Sequence, residues 1–411
     1  MTKFIVAFSR MYEVVLAFLL LKLVSDLLTP SEFAKLNLFT AVTQGIALFF
    51  ISPLQNWILV NNIKATKENW LSSLLIFEIL YTIAISIFAF LIMIFFKESF
   101  VSSNPLFISI FILSVLTPIL LQTLVPIFNI HHLTKVYVSL SILGSTLGFV
   151  LPVLLVFSIN RQYEIWLLGV YIAQLIVCIY SFKKLTSERI FNSKICSWKI
   201  DGLPYKQILK FSIPLSIAVG FQWFNSQGFR LQLENTISLT ALGAFIMGFG
   251  FGGKFLNAIE KVFSTVLMPG LYNRPDSTSV KKAWLTYFWK MTIIYFVSTS
   301  ILYVFATHIY GLIISEQYHS GIDFIAAGML FDMFRCILNS VYQYNMITSR
   351  NGLQFIINAI VTMFISGVIY FVFANGVSFN IFVYSMPVIM AVVTAMCFII
   401  NYMDASKIEN S

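Results

Sequence analysis

The stretch MGFGFGGKFL, residues 247–256, carries glycines at two spacings that hold phosphate groups in other proteins. Gly248-x-Gly250-x-x-Gly253 fits the glycine pattern of dinucleotide-binding proteins. Gly248 and the Gly253–Lys254 pair, separated by four residues, nearly fit the loop that cradles nucleotide phosphates. The stretch therefore raises the question of a nucleotide-dependent reaction.

The residues around these glycines argue against a nucleotide site. A phosphate-binding loop needs Ser or Thr after its lysine to hold magnesium, and Phe255 occupies that position. Both motifs also follow a strand, whereas the flanking segments ALGAFIMGF and FLNAIEKVF form one continuous apolar span. Small residues in a membrane helix permit close approach of a neighbouring backbone. We therefore predict a packing seam or a flexible point, formed by Gly248, Gly250, Gly252 and Gly253.

Lys254 belongs to a polar stripe along the same span. Gly250, Lys254, Asn257 and Lys261 follow one another at helical spacing and share one face. A charge near mid-membrane costs about 2.5–3.5 kcal/mol on insertion scales, so such a stripe should face a protein interior or a watery cavity. Two interpretations stay open: Lys254 contacts a ligand, or it pairs with an acid.

Two further stripes carry charge within apolar spans. The first consists, at steps of four, of Gln222, Ser226, Arg230 and Glu234. Arg230 either faces a cavity or extends its head group to the membrane surface. The second stripe consists of Asp332, Arg335, Asn339 and Gln343. Asp332 and Arg335, at i and i+3, either neutralise each other or face the cavity and exchange partners during transport.

The first spans hold three groups of intramembrane charge. Arg10 and Glu13 lie together near one end of the first span, and Lys22 and Asp26, at i and i+4, lie together near its other end. Glu78 stands alone in the third span. Glu78 is therefore either a proton carrier or an interfacial or hydrogen-bonded carboxyl group.

Composition defines the elements that must position these residues. Of 411 residues, 59% are hydrophobic and only 10% are charged, and mean hydropathy is +0.87. Soluble domains carry about 25% charged residues. Long apolar runs recur, each near the roughly 20 residues that cross a bilayer as a helix, so we predict an all-α polytopic membrane protein. The twelve predicted spans are 4–28, 36–60, 71–96, 105–130, 137–158, 164–182, 208–232, 238–268, 286–308, 322–346, 354–375 and 379–402.

Basic residues set the predicted orientation and domain organisation. Lys and Arg concentrate in the loops on one side, whereas the other side holds only Lys35, Lys97 and Arg161, so both termini should be cytoplasmic. This topology accounts for the net charge of +9 without a nucleic-acid partner. We predict an N-terminal lobe at 1–182, a basic cytoplasmic linker at 183–207 and a C-terminal lobe at 208–411. The linker either only joins the two six-helix lobes near anionic lipid or also binds a specific partner.

No residue pattern indicates catalysis, a metal or a cofactor. The histidines show no metal-ligand spacing and no pairing with a nucleophile. The cysteines are scattered without a C-x-x-C spacing, so we expect them to be packing residues. These cysteines are Cys178, Cys196, Cys336 and Cys397.

Two segments of the chain resemble the Wzx-type polysaccharide-repeat flippases. The opening LLLKLVSDLLTPSEFAKLNLF resembles the turn that joins the first two helices in that family, with Ala34 where the family often has glycine. The segment FSIPLSIAVGFQWFNSQGFRLQLENTISLTALGAFIMGFGFGGKFLNAIEKVFSTVLMPGLY resembles it more closely. This segment has the family's arrangement of Pro214, Arg230, the LGAF motif at 242–245 and Pro269.

The resemblance implies membership of the multidrug/oligosaccharidyl-lipid/polysaccharide exporter superfamily, with two six-helix lobes around a central cavity and alternating access. The implied cargo is an undecaprenyl-pyrophosphate-linked oligosaccharide, the repeat unit of O-antigen or a similar surface polysaccharide. The cargo would move from the cytoplasmic to the periplasmic leaflet of a bacterial inner membrane. Membrane lipids are further expected partners, polysaccharide polymerase and chain-length proteins are candidates, and a monomer is the default.

The resemblance also supplies a set of expected site residues, because basic cavity residues recur in that family. Arg and Lys match phosphate oxygens, whereas Asn and Gln bond sugar hydroxyls. The candidate substrate-binding residues are Arg10, Lys22, Gln222, Arg230, Lys254, Asn257, Arg335 and Asn339. The candidates for coupling to an ion gradient are Asp26, Glu78 and Asp332.

Two other functions remain as alternatives. A drug or cation antiporter of the same superfamily would favour buried carboxylates over basic residues. A membrane-embedded glycan polymerase or ligase would usually carry a large periplasmic loop, and all the predicted outward loops are short.

Overall fold

The described part of the chain is helical, and it contains no strand. The computed structural model describes residues 2–68, 70–96, 105–188, 190, 205–272, 280–348 and 351–410. Within a bilayer no water satisfies backbone polar groups, so a spanning segment bonds its own N–H and C=O groups as a helix. The predicted all-α fold class is confirmed.

The α-helices are α1 Thr2–Leu27, α2 Pro30–Ile46, α3 Ser52–Lys67, α4 Leu71–Phe96, α5 Pro105–Ile130, α6 Thr134–Ser158, α7 Tyr163–Ser187, α8 Tyr205–Trp223, α9 Phe229–Glu234, α10 Leu239–Tyr272, α11 Val280–Ile313, α12 Ile325–Ile347, α13 Asn351–Ala374 and α14 Phe379–Asn410. A π-helical turn, Ala47–Ile51, joins α2 to α3, and another, Phe224–Gly228, joins α8 to α9. The described helices thus form twelve long segments at the twelve predicted spans. By length and composition, nine of them in the described ranges are apolar enough to cross a membrane.

The turn at Ala47–Ile51 has a local cause in Pro53. Proline has no N–H to donate to the carbonyl group four residues earlier, and its ring crowds that carbonyl. The N–H group of Ser52 instead donates to the carbonyl oxygen of Ala47, five residues earlier. The helix widens for one turn and continues as α3.

The first structural unit comprises Met1–Leu28 and Lys35–Trp223. Helix α5 packs against α3, α4, α6 and α7, and α6 packs against α1 and α7. Apolar side chains of α3, α4 and α5 form much of the buried core, among them Ile58, Leu74, Leu124 and Phe128. Two prolines, Pro118 and Pro126, lie inside α5 and each removes one backbone hydrogen bond.

Helix α8 groups with this first unit by its contacts. The indole Nε1 of Trp223 donates to the carbonyl oxygen of Ala41 at 2.9 Å. Gly45 faces the ring of Trp223, and Gly220 faces the ring of Phe49. The sequence places α8 instead in a lobe at 208–411. The lobe boundaries 1–182, 183–207 and 208–411 stay a prediction, and 189 and 191–204 of the linker lie outside the described residues.

The second unit comprises Thr29–Ala34 and Phe224–Ser411. Helix α12 is its central element, since it packs against α10, α11, α13 and α14. A 3₁₀ segment, Glu316–Phe324, precedes α12 and packs against α10. The buried Trp284 of α11 donates from its indole Nε1 to the carbonyl oxygen of Ser340 at 3.2 Å, which ties α11 to α12.

Glycines let α10 approach its neighbours closely along a surface that we call the glycine seam, formed by Gly248, Gly252 and Gly253. A Cβ atom at Gly248 would collide with the carbonyl oxygen of Gly321, and one at Gly252 with the side chain of Met329. The packing seam predicted from the sequence is therefore present at these positions. Gly250 is the exception, because nothing lies within 4 Å of the place its Cβ would take.

Replacing Gly248 by Ala should destabilise the protein by about 1–3 kcal/mol, because the added methyl group overpacks a backbone contact. The matched change Gly250→Ala should be neutral or stabilise by up to about 1 kcal/mol, since Ala favours helix and meets open space. Thermal unfolding of both variants in detergent measures the difference. Equal melting temperatures for the two variants would contradict the assigned seam.

Candidate functional site

An ion pair and an amide connect α12 to α10 in the second unit. Arg335 Nε donates to Asp332 Oδ1 at 2.8 Å, one turn away on α12. The Nη2 atom of the same guanidinium donates to Asn257 Oδ1 on α10 at 2.9 Å. The pair is largely buried, with side-chain exposures of 27% for Arg335 and 13% for Asp332. The sequence left open whether Asp332 and Arg335 neutralise each other or face a cavity. In this structure the two side chains are bonded to each other.

The seam on α10 makes room for this pair. The carboxyl group of Asp332 lies directly against Gly253, where any Cβ atom would overlap Oδ2. A larger residue at 253 would therefore push the carboxyl group away from α10. The glycine at this position serves the polar contact as well as the helix packing.

A second polar contact lies further along the same two helices and was missed from the sequence. Glu260 Oε1 accepts a hydrogen bond from Asn339 Nδ2 at 3.3 Å, and Oε2 accepts from Cys336 Sγ at 3.5 Å. The available signal was the spacing of Glu260 three residues after Asn257, which puts both on one helical face. Asn339 thus lies in the same interface as Arg335, as the stripe on α12 predicts.

Lys254 differs from Asp332 and Arg335 in its surroundings. Its side chain is exposed, and it makes no hydrogen bond or ion pair with any residue that the structure describes. It lies near the middle of the apolar span Leu239–Ser264. Arg230 is close enough to repel it electrostatically, while Asp332 attracts Arg230. Two basic groups therefore lie near each other, and Asp332, which is paired with Arg335, also lies near Arg230.

The stripe from Gln222 to Glu234 requires a correction. Its steps of four assume one continuous α-helix, but the π-helical turn Phe224–Gly228 interrupts that spacing. A π turn holds more residues than an α turn, so residues on either side of it rotate onto different faces. Gln222 is exposed at the end of α8 in the first unit, and Arg230 lies on α9 in the second.

The first unit holds the other pair predicted from spacing. Lys22 Nζ lies 3.2 Å from Asp26 Oδ1, and the two side chains are 42% and 40% exposed. The predicted proximity of this pair is confirmed. The side chain of Arg10 lies outside the described residues.

Glu78 is buried in the first unit with a hydroxyl partner. Its side chain on α4 has no exposed surface, and Thr123 Oγ1 on α5 donates to its Oε1 at 2.6 Å. Its other oxygen, Oε2, is buried without a hydrogen-bond partner. The geometry shows a hydrogen-bonded carboxyl group, and the interpretation of Glu78 as a proton carrier stays a prediction.

The cysteines, the possible metal ligands and the glycine cluster are the remaining features that the sequence analysis considered. The described cysteines, Cys178, Cys336 and Cys397, are buried and free, and Cys196 lies outside the described residues. No group of three or more His, Cys, Asp or Glu residues with metal-binding geometry occurs in the part of the chain that the structure describes. The glycine cluster lies within the continuous helix α10, so no strand precedes it.

A curated relative matches part of the chain. No protein-family model matches this chain. The chain is 26% identical over 263 residues to the capsular polysaccharide biosynthesis protein CapF of Staphylococcus aureus. The match covers 60% of this chain and 60% of that protein.

Solved structures of membrane transporters share the fold. An outward-facing multidrug resistance MATE family transporter of the MOP superfamily matches with a TM-score of 0.64 at 12% identity, over 98% of this chain and 94% of that one. A mutant of the Vibrio cholerae MATE transporter VcmN matches with a TM-score of 0.63 at 12% identity. That match covers 100% of this chain and 98% of that one. The chain therefore has the MATE transporter fold, and it is a multi-pass membrane protein.

The ion pair on α12 predicts a specific non-additivity. Asp332→Asn should lower the free energy of unfolding by about 1–3 kcal/mol, because Arg335 then loses the carboxylate to which it is bonded. Arg335→Gln should have a similar cost, and the double variant should lose less than the sum of the two. Thermal unfolding of the four proteins measures this coupling. Strictly additive losses would show that the pair contributes no interaction energy.

Proposed function

We propose that the protein is a flippase for undecaprenyl-pyrophosphate-linked oligosaccharide repeat units, which it moves from the cytoplasmic to the outer leaflet of a bacterial inner membrane by alternating access. The transporter fold supports a transport function. The relative CapF, named for capsular polysaccharide biosynthesis, supports a surface-polysaccharide cargo. The resemblance of the sequence to Wzx-type flippases supports the lipid-linked form of that cargo.

The observation that carries the proposal is the exposed basic group of Lys254, with the basic group of Arg230 nearby. Two like charges in a low-dielectric region repel each other, and an anion bound beside Lys254 reduces that repulsion. Lys254 is exposed and has no acidic partner among the described residues, so its charge is available to a ligand. Lysine and arginine both bind phosphate oxygens through charge-assisted hydrogen bonds. A pyrophosphate group matches this arrangement in charge and in hydrogen-bonding type.

Neighbouring amides supply groups for the sugar part of the cargo. Asn257 uses its Oδ1 to accept from Arg335, and Asn339 uses its Nδ2 to donate to Glu260. Asn257 Nδ2 and Asn339 Oδ1 have no partner among the described residues, so each retains hydrogen-bonding capacity. In the proposed complex these atoms bond sugar hydroxyl groups. Within the proposal, Arg10, Lys22 and Gln222 remain cargo-binding candidates of the first unit.

A drug or cation antiporter is the second candidate, because the solved structures with this fold include multidrug transporters. A cationic cargo requires a carboxylate that is available to bind it. Asp26 is paired with Lys22, Asp332 is paired with Arg335, and Glu78 is buried without exposed surface. Among the described residues of the second unit, Lys254 is an exposed charge near the middle of a span, and its positive sign favours an anionic cargo.

Removing the charge at Lys254 tests the proposal. In cells that depend on this chain for surface polysaccharide, Lys254→Gln should lower the translocation rate at least about tenfold, the equivalent of about 1.4 kcal/mol for a lost charge-assisted contact. Lys254→Arg should retain most activity because the positive charge remains. Lys290→Gln, which removes another exposed lysine of the same unit on α11, serves as the matched control. Surface polymer and the leaflet position of single lipid-linked repeats are measured together.

Each competing function has a distinct outcome in this experiment. Single repeats that reach the outer leaflet but fail to polymerise in the absence of the protein would indicate a glycan polymerase or ligase. Export of a cationic dye that is lost on deletion, with normal polysaccharide, would indicate an antiporter. Normal translocation by Lys254→Gln, at wild-type expression, would remove Lys254 from the cargo site.

A further inference from the structure

Glu78 is a carboxyl group buried among neutral neighbours. Besides the Thr123 hydroxyl, no described residue contacts it by a hydrogen bond or an ion pair, and its Oε2 has no partner. Along the same face of α4, Thr82 and Ser86 are also fully buried, and the Thr82 hydroxyl has no partner. An ionised carboxylate without a counter-charge is costly in such surroundings. The group avoids that cost by binding a proton.

The elements packed against α4 offer no nearby compensating charge. On α3 the charged groups are Lys64 and Lys67, which lie at its C-terminal end. The π-helical turn Ala47–Ile51 and the helix α5 contain no titratable residue, and His131 follows α5 directly. On α4 itself the titratable neighbour is Tyr81, whose hydroxyl donates to the carbonyl oxygen of Phe50 at 3.3 Å. Glu78 must therefore gain or lose its charge with a proton.

Thr123 connects the protonation state of Glu78 to the backbone of α5. The Thr123 Oγ1 atom lies 2.6 Å from Glu78 Oε1 and 3.1 Å from the carbonyl oxygen of Ile119. A hydroxyl group has one proton, so it fully serves only one of these acceptors. With Glu78 ionised, Thr123 donates to the carboxylate. With Glu78 protonated, the carboxyl O–H donates to Thr123, and Thr123 donates to the Ile119 carbonyl.

The carbonyl group at the end of this relay lies in a weakened part of α5. Pro118 and Pro126 flank it and deprive the helix of two backbone hydrogen bonds. The side chain of Gln55 on α3 donates to the same Ile119 carbonyl at 3.4 Å. A change in proton position at Glu78 therefore alters hydrogen bonds that hold α3, α4 and α5 together at the proline-flanked segment.

We propose that Glu78, through Thr123, is a proton-binding site whose loading and release change the conformation of the first unit and make transport dependent on pH. The step is the addition of one proton from water to the carboxylate, and its removal to water in the reverse step, with no other bond made or broken. The link to transport rests on the proposed function, whereas proton binding itself does not.

Proton binding is tested first on the purified protein in lipid, by infrared difference spectroscopy during a stepwise change of pH. A carbonyl stretch of a protonated carboxylic acid should appear and disappear with a one-proton titration. This band should be absent in Glu78→Gln, shifted in frequency in Thr123→Val, and unchanged in Glu188→Gln, which alters an exposed carboxyl. Thr123→Ser keeps the hydroxyl and should retain the band near its original frequency.

Transport is tested second, as the dependence of the translocation rate on pH. Glu78→Gln resembles the protonated form, so its rate should lose the pH dependence of the wild-type protein. A band that persists in Glu78→Gln, or a carboxyl that never titrates, would overturn the proton site. Wild-type pH dependence of transport in Glu78→Gln would overturn its coupling role. If the titrating band is present but no lipid-linked oligosaccharide moves, the proton site stands and the proposed cargo is wrong.

If Glu78→Gln does not fold, Thr123→Val and the wild-type titration still decide the question. A wild-type carboxylic acid band that does not respond to loss of the Thr123 hydroxyl cannot arise from this pair. Size-exclusion chromatography in detergent establishes which variants are folded.

Discussion

Helix α10 lies close to α12 and to the segment Glu316–Phe324. The polar network between α10 and α12 in the second unit depends on this close approach. Between membrane helices there is no hydrophobic driving force of the kind that operates in water, so packing and interhelical hydrogen bonds supply the stability. Glycines at Gly248, Gly252 and Gly253 bring the backbones together. Only at that separation do Asn257 and Glu260 reach partners on α12. The hydrogen bonds between α10 and α12 thus depend on the close packing that these glycines permit.

Most of the intramembrane charges described above lie next to a group of opposite charge. An intramembrane charge is expensive, and a nearby opposite charge reduces that expense. Lys22 with Asp26, and Arg335 with Asp332, satisfy this condition within one helix each. Lys254 does not, because the described residues give it no acidic partner and Arg230 repels it. In the proposed function, the negative charge of the cargo compensates this basic group.

The two units use different polar chemistry. The described network of the second unit combines charged groups with amides across α10 and α12. The polar interior of the first unit is mostly neutral: Thr117 Oγ1 donates to Gln174 Oε1 at 2.8 Å, and Gln55 and Thr123 donate to the backbone of α5. Glu78 is the acid among these neutral groups. A charged network suits the binding of an ionic cargo, and an unpaired buried acid suits the exchange of a proton.

The sequence by itself determined the helical elements and the contacts within them. Apolar runs near bilayer length predict helices because lipid satisfies no backbone group, and spacing of three or four residues places side chains on one face. Lys22 with Asp26 and Asp332 with Arg335 follow from that periodicity alone. Periodicity did not predict that the stripe from Gln222 to Arg230 is interrupted. It assumes an unbroken α-helix, and a π turn lies between these two residues.

Only the tertiary structure decided which helices share their polar groups. Thr123 lies 45 residues from Glu78, and Asn257 lies 78 residues from Arg335. The grouping of α8 with the first unit likewise depends on distant contacts, such as Trp223 with Ala41. Such contacts require the rotation and depth of each helix relative to its neighbours. Those quantities result from the packing of many side chains at once, so no local spacing in the sequence specifies them.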